Sequence, residues 1–230
     1  MGHRTRQAWS FSAAVVLAAA ASLAVTAPAR AYEDAAPTGE FLMGVGYSHV
    51  EFKGGDITLD DQDCIHFAPM MSFAPVESLP QLRLGGGVGF TIGLDDVNGI
   101  IHSGGNGLVV VAGADSALFL FQPEVVLSWR QPIGPEHVGF YIEPGVAAGG
   151  TFAWLDVNEL SAQPKSVLIT GDTWASTYSG RVFLRSGMRV TGGTAGLEAS
   201  YLRGGRLDFG HGTGGDVSEF YIGIFGAIMF

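Results

Sequence analysis

The chain has 230 residues, of which 35 are glycine and only 15% are charged. Its 22 acidic residues outnumber 12 basic ones, and the resulting net charge of −10 argues against nucleic-acid binding. A single cysteine, Cys64, excludes an internal disulfide framework. The glycine content and the lack of an amphipathic helical pattern favour an all-β fold.

The first 31 residues have the three parts of a secretory signal. Two arginines lie near the start, an apolar run extends from Ala13 to Val25, and Ala29-Arg30-Ala31 is a small-x-small cleavage site. The run is too short and too rich in alanine for a spanning helix. We therefore predict a signal peptide at residues 1–31 and a single mature domain at residues 32–230.

From residue 39 onward, eight segments have the composition and alternation of β-strands. They are predicted at residues 39–53, 64–75, 80–94, 116–130, 137–153, 174–191, 194–208 and 217–230. The second, fourth and sixth connections are tight, whereas the first, third, fifth and seventh are predicted to be long. Short turns at one end and long loops at the other are typical of outer-membrane barrels. Soluble up-and-down barrels have no reason to segregate their connections in this way.

One irregularity lies in the second long loop. Ile100-Ile101-His102 and the run from Leu108 to Ala112 flank Gly104-Gly105-Asn106-Gly107, which predicts a hairpin. We interpret it as an extension of the third and fourth strands beyond the membrane. The alternative is a ten-stranded barrel.

The two faces of the predicted strands differ in polarity, because successive side chains of a strand point to opposite sides. In the fourth strand, six apolar or aromatic residues oppose Gln122, Glu124, Ser128 and Arg130. One face of the last strand has no polar group; it contains Phe220, Ile222, Ile224, Gly226, Ile228 and Phe230. Wide apolar faces opposite narrow polar ones predict lipid outside and a polar lumen inside. The fold class expected is a single antiparallel up-and-down transmembrane β-barrel of eight strands.

Charged residues recur on the predicted inward faces of strands three to seven. This set is Arg83, Glu124, Glu143, Arg181, Arg185 and Glu198. Charges in so narrow a lumen must be paired to offset desolvation. We therefore predict a salt-bridge cluster that fills the barrel, with Arg185 between Glu143 and Glu198. The alternative is a gated polar path or a small-solute site, which corresponds to a channel or a carrier.

No cofactor or metal site is predicted. The six histidines lack metal-ligand spacing, and His66 is interpreted as a hydrogen-bonding residue of the lumen. The first long loop contains Asp56, Asp60, Asp61 and Asp63, whose carboxylates suit a hard divalent cation. The loop lacks the spaced glycine and the terminal glutamate of a calcium loop, so a solvated acidic loop is the interpretation we prefer.

Two strand segments resemble motifs of a known family. Met43-Gly44-Val45-Gly46-Tyr47 and Tyr141-Ile142-Glu143-Pro144-Gly145-Val146 are similar to segments of small outer-membrane barrels of Gram-negative bacteria, the family that includes outer-membrane proteins A, X and W. The terminal Phe230 resembles the signal that the outer-membrane assembly machinery recognises. The resemblance implies an outer-membrane location, contact with lipid and lipopolysaccharide, and a monomeric barrel. Members differ in function, so it does not choose among envelope integrity, adhesion through loops and passage of small molecules.

A second resemblance is to the lipid A deacylases, outer-membrane barrels with a serine hydrolase site near the outer end of the last strands. Their His-x-Ser-Asn motif corresponds to His211-Gly212-Thr213-Gly214 here. This resemblance implies His211 as the base, Thr213 as the nucleophile and Glu219 as the acid. Gly214 replaces the asparagine, Phe225 stands where the acid is expected, and Glu219 comes too early. We therefore expect a protein without catalysis, with an esterase as the alternative.

Overall fold

A computed structural model describes residues 39–54, 57–95, 97, 99–103, 107–111, 116–134, 139–156, 160–162, 166–169, 172–210 and 213–230. The predicted signal peptide lies outside these ranges. Eight long strands are present: β1 (Gly39–Lys53), β2 (Gln62–Phe73), β3 (Leu82–Gly93), β4 (Ala117–Trp129), β5 (Phe140–Asp156), β6 (Thr173–Val190), β7 (Gly193–Asp208) and β8 (Gly214–Met229). Among the described residues, no helix is long and apolar enough to cross a membrane.

The eight strands form a closed antiparallel barrel. Each strand pairs with its neighbours in sequence, and β8 pairs with β1 from Glu40 opposite Met229 to Lys53 opposite Asp216. Gly39 and Phe230 exchange two backbone hydrogen bonds, of 3.1 and 3.0 Å. Closure removes every long sheet edge, which is the condition for a β-structure to lie in lipid. The predicted all-β, eight-stranded up-and-down fold is confirmed.

The predicted facing of the strands is also present. In β8, Phe220 and Ile222 are 47% and 51% exposed, whereas Tyr221 between them is 2% exposed. The same alternation in β4 and β5 turns Val125, Leu127 and other apolar side chains outward. The outer surface is therefore an apolar belt, which is the inverse of the pattern in a soluble barrel.

The connections define two ends of the barrel. We call the end that carries residues 74–81, 130–134 and 191–192, together with Gly39 and Phe230, the inner end, and the opposite end the outer end. Residues 131–133 form a short strand on β5, and Gly192 adopts a φ of 77° in a two-residue turn. The seventh connection, predicted to be long, comprises only the five positions between Asp208, which ends β7, and Gly214, which begins β8. That prediction was wrong because the Gly-rich start of β8 pairs with β7 instead of forming a loop.

The hairpin predicted in the second long loop is present, at Gly99–Ser103 and Gly107–Val111. It does not continue the ladder of β3 and β4, and it does not enter the barrel. Instead it forms a separate three-stranded sheet with Ile57–Leu59. The interpretation of the hairpin as an extension of the third and fourth strands is therefore wrong, and so is the ten-stranded alternative. A further hairpin at the outer end joins Leu160–Ala162 to Ser166–Ile169.

The lumen is filled by two apolar clusters. The one near the inner end is interleaved with charged residues and contains Leu42, Met70, Val126, Tyr141, Ala147, Phe183, Phe225 and Ala227. The one at the outer end, which we call the outer plug, contains Val50, Phe52, Leu59, Cys64, Val97, Leu118, Leu120, Ala153, Leu155, Ala175, Leu207, Phe209 and Val217. The prediction of a polar lumen is thus correct for the inner half and wrong for the outer half.

Candidate functional site

Four arginines and four glutamates alternate along one continuous series of contacts in the inner half of the lumen. The order is Arg83, Glu40, Arg130, Glu143, Arg185, Glu198, Arg181 and Glu124. We call this set the charge chain. It contains all six residues of the predicted cluster and two further residues, and its formal charges cancel.

Arg185 lies at the middle of the charge chain and is 1% exposed. Its Cα is directly opposite those of Glu143 on β5 and Glu198 on β7. Its Nε donates to Glu198 Oε2 over 2.6 Å, and its Nη1 donates to Glu143 Oε1 over 3.2 Å. The contacts expected from the sequence are therefore present.

Arg181 extends the charge chain toward β4. Its Nη1 donates to Glu198 over 2.6 Å, so Glu198 accepts from two arginines. Its Nε donates to Glu124 over 3.0 Å, and its Nη2 contacts the same carboxylate. This two-pronged contact is the geometry in which an arginine and a carboxylate bind most strongly.

Arg130 extends the charge chain in the other direction. Its Nε lies 2.5 Å from Glu143, and its two terminal nitrogens donate to Glu40 over 3.0 and 2.6 Å. Arg83 completes the series at 3.5 Å from Glu40 and donates to Ser72 Oγ over 3.2 Å. The predicted cluster omits Glu40 and Arg130, which lie at or just beyond strand ends, although alternation places Arg130 on the polar face of the fourth strand. For Glu40, the alternation of β1 was the signal that could have found it.

Aromatic rings pack against the guanidinium groups. Phe183 lies between Arg181 and Arg185, with its ring centre 5.1 and 4.4 Å from their Cζ atoms. Arg130 stacks over Tyr141 at 4.4 Å. These are cation–π contacts, which gain strength where water is excluded. Gly145 leaves room for the Phe183 ring, because a Cβ at this position would lie 2.2 Å from Phe183 Cζ.

A second polar cluster separates the charge chain from the outer plug. Its centre is Glu219, which is 2% exposed and forms no ion pair with an arginine within the described part of the chain. Thr91 and Gln122 donate to its two oxygens over 3.0 and 2.6 Å. His66 Nδ1 lies 3.1 Å from Glu219 and 2.8 Å from Thr91. The adjoining cavity of about 10 Å³ is at the lower limit for one water, so it cannot hold an organic ligand.

The residues implied by the deacylase resemblance do not form a site in the described part of the chain. His211 lies outside the described residues. Thr213 is fully buried, and its hydroxyl has no hydrogen-bond partner among the described residues. The hydrogen bonds of Glu219 go to the lumen cluster and not to Thr213. Burial of the Thr213 hydroxyl disfavours attack on an ester at the membrane surface, because a nucleophile has to reach its substrate.

The acidic loop is only partly described, since Asp56 lies outside the described residues. Asp63 accepts from the Tyr47 hydroxyl over 2.6 Å and lies 2.9 Å from His49 Nδ1. His49, Glu51 and Asp61 could each offer a ligand atom within 4.8 Å of the others. Lys53 already lies 2.5 Å from Glu51, and exposed acidic groups commonly cluster without an ion. The absence of a metal remains a prediction.

Comparison with known proteins gives structural matches only. No family model and no curated protein matches the chain. The chain is similar to Neisserial surface protein A (TM-score 0.49, 11% identity, 84% of this chain and 97% of that chain) and to the outer membrane protein OprG from Pseudomonas aeruginosa (0.45, 11%, 84% and 97%). It is also similar to Ail, the attachment invasion locus protein of Yersinia pestis (0.44, 12%, 84% and 100%). These similarities are too low to transfer a function, and the fold assignment rests on the closed strand ladder itself.

Proposed function

We propose that this protein is a sealed outer-membrane barrel that serves an envelope or loop-mediated interaction role without conducting solutes. The apolar belt supports membrane insertion, because side chains such as Val125, Val146 and Leu197 are more than half exposed on a closed barrel. Exposure of so large an apolar surface to water is energetically unfavourable for a monomer, whereas contact of the same surface with lipid is favourable. The barrel then acts as an anchor that holds the outer connections at the cell surface.

The observation that carries the proposal is the filling of the lumen at two levels. The charge chain occupies the inner half, where Arg185 and Glu143 are almost fully buried. The outer plug occupies the outer half, where Leu118, Leu155 and Val217 are fully buried. A channel or carrier needs a continuous opening. Because the described residues fill the lumen at both levels, transport of solutes is disfavoured.

The proposed function implies a location in the outer membrane and three partners, namely the assembly machinery, lipid and lipopolysaccharide. The signal peptide directs export, and the assembly machinery recognises the last strand, which ends at Phe230. Lipid and lipopolysaccharide surround the apolar belt. A monomer is sufficient, because the closed ladder leaves no long sheet edge for a second copy.

The esterase alternative is not favoured, because it requires an accessible hydroxyl at Thr213. Lipid A incubated with the purified protein should keep its acyl chains. Deacylation by the wild-type protein that disappears in Thr213→Ala would refute the non-catalytic proposal.

Two measurements test the main proposal. Fractionation should recover the protein in the outer membrane, with migration on a gel that changes on heating as the barrel unfolds. Planar bilayers that contain the protein should show no stepwise conductance, while a porin inserted in parallel confirms that the bilayer reports channels. Recovery in the soluble periplasm would overturn membrane insertion. Reproducible conductance steps would overturn the sealed lumen.

A further inference from the structure

The outward face of β3 to β6 carries two aligned rows of large apolar side chains near the outer end. Ile92, Phe119, Trp154 and Trp174 lie directly opposite one another on successive strands and form the upper row. Phe90, Phe121 and Phe152 form the lower row, two residues nearer the inner end. Alignment across four strands in the upper row and three in the lower row brings these side chains together, since opposite side chains of a sheet are close neighbours.

The rings of the two rows are arranged differently. In the upper row, Trp154 stacks between Phe119 and Trp174, with ring centres 4.9 and 5.9 Å apart and interplanar angles of 24° and 17°. In the lower row, Phe121 is tilted by 58° against Phe90 and by 53° against Phe152. The two rows line a concavity of about 440 Å³, which we call the aromatic groove.

The chemistry of the aromatic groove restricts its occupant. Its volume is within the range of roughly 300 to 1,000 Å³ that ligand pockets span, but its lining is almost wholly apolar. A polar ligand would lose its hydrogen bonds to water, and the two rows offer in return only the indole N–H groups of Trp154 and Trp174, of which that of Trp154 has no partner among the described residues. A hydrocarbon chain has no such cost, and it gains contacts with the ring faces that a flat strand surface cannot supply.

The position of the aromatic groove identifies the source of that chain. The groove opens on the apolar belt, so in the inserted barrel only the bilayer reaches it. It lies in the half that ends in the long connections, which corresponds to the outer leaflet. Trp174, 67% exposed at its upper edge, is the residue type that marks the boundary between headgroups and chains. In a bacterial outer membrane the lipid of that leaflet is lipopolysaccharide, anchored by the acyl chains of lipid A.

We propose that the aromatic groove binds one acyl chain of lipid A. The inference rests on the proposed membrane insertion and adds a defined lipid site to it. One chain seated in the groove is held longer than the surrounding lipid, because its contacts are made on several sides at once.

The tryptophans allow a direct test by fluorescence quenching in vesicles of brominated phospholipid. The mature chain contains Trp129, Trp154 and Trp174, and Trp129 faces lipid near the inner end, far along β4 from the groove. Trp129→Phe leaves only the groove pair as reporters. Trp154→Phe with Trp174→Phe leaves only Trp129, which reports ordinary boundary lipid.

Addition of unbrominated lipid A at a small mole fraction should relieve quenching of the groove pair at least twofold. It should change quenching of Trp129 only by dilution. Ile92→Phe, introduced to fill the groove, should abolish the selective relief, whereas the matched change Ile142→Phe on the lipid-facing inner half of β5 should leave it intact.

The other outcomes are distinct. Equal relief at both reporters, or persistent quenching of the groove pair in the presence of lipid A, would overturn the lipid A site while leaving membrane insertion in place. Absence of quenching at every tryptophan would show that the barrel does not enter the bilayer. That result would overturn both the proposed function and the groove site.

Discussion

Arg185 and Glu198 face each other across the β6–β7 pair, with Arg185 Nε 2.6 Å from Glu198 Oε2. Each residue has a second ion-pair partner, because Arg185 also contacts Glu143 and Glu198 also contacts Arg181. The pair is therefore the central link of the charge chain, and its removal tests whether the charges act as a unit.

Replacement of Arg185 by Met should destabilise the barrel strongly. The change leaves buried carboxylates with one arginine fewer and gives the charge chain a net charge, at a cost on the order of 3 to 5 kcal/mol. The double variant Arg185→Met with Glu198→Gln should lose less, because it restores neutrality. The free energy of unfolding in urea, measured in lipid vesicles, checks this order. Leu184→Ala, a lipid-facing neighbour, is the matched control; equal stability of the single and double variants would contradict the coupling.

The two buried glutamates Glu143 and Glu219 should respond differently to removal of charge. Glu143→Gln leaves Arg130 and Arg185 short of a carboxylate, whereas the hydrogen-bond partners of Glu219 include the neutral Thr91 and Gln122. We expect the loss in unfolding free energy to be larger for Glu143→Gln, on the order of 3 to 5 kcal/mol, than for Glu219→Gln. The same urea titration measures both. The opposite order would mean that the Glu219 cluster, not the charge chain, dominates the electrostatics of the lumen.

Gly145→Ala should destabilise the protein by roughly 1 to 3 kcal/mol through overpacking. The added Cβ would overlap the Phe183 ring, which two arginines hold in place. Phe183→Leu should absorb part of this cost, so the double variant should be more stable than the sum of the single effects predicts. A double-mutant cycle of unfolding free energies gives the coupling. Strict additivity would mean that the ring moves aside freely.

Leu155→Ala in the outer plug should cost roughly 2 to 5 kcal/mol, because it leaves a cavity in a fully buried cluster. Conductance should nevertheless stay absent, since the charge chain closes the inner half independently. Unfolding measurements and planar bilayer recordings on the same preparation separate the two effects. Current through this variant would show that the outer plug is the actual seal.

Thr213→Val should leave the free energy of unfolding within about 0.5 kcal/mol of the wild type. The Thr213 hydroxyl is buried without a hydrogen-bond partner among the described residues, so a methyl group of similar shape replaces it at little cost. Urea titration checks the stability. A large loss would reveal a partner for this hydroxyl beyond the described residues.

The sequence predicts the inner half of the barrel better than the outer half, for a physical reason. Where one face is polar, as for Glu143 and Arg185, alternation assigns each residue to the lumen or to lipid without ambiguity. In the outer half, inward residues such as Leu118 and Val217 are as apolar as their lipid-facing neighbours. A period of two then identifies two faces but not which of them turns inward. The outer plug was therefore not predictable from the pattern.

The remaining errors concern segments too short to show a pattern. Three residues at Ile57–Leu59 cannot display alternation, although they pair with the hairpin strand Gly99–Ser103. Similarly, a run of glycines near residue 214 is typical of a loop, and only pairing with β7 makes it a strand. The secondary structure of such segments depends on hydrogen bonds to strands that are distant in sequence. The local residue types carry no information about these hydrogen bonds.

The contacts of the charge chain also restrict the circumference of the barrel. Its members are anchored on β1, β3, β5, β6 and β7 and on or beside β4, and each link has the length of a single hydrogen-bonded contact or close to it. The diameter of a barrel grows with its number of strands, so one additional hairpin would stretch the series until a link parts and buries an uncompensated charge. The charge chain therefore favours the circumference of an eight-stranded barrel and destabilises barrels of this sequence with any other number of strands.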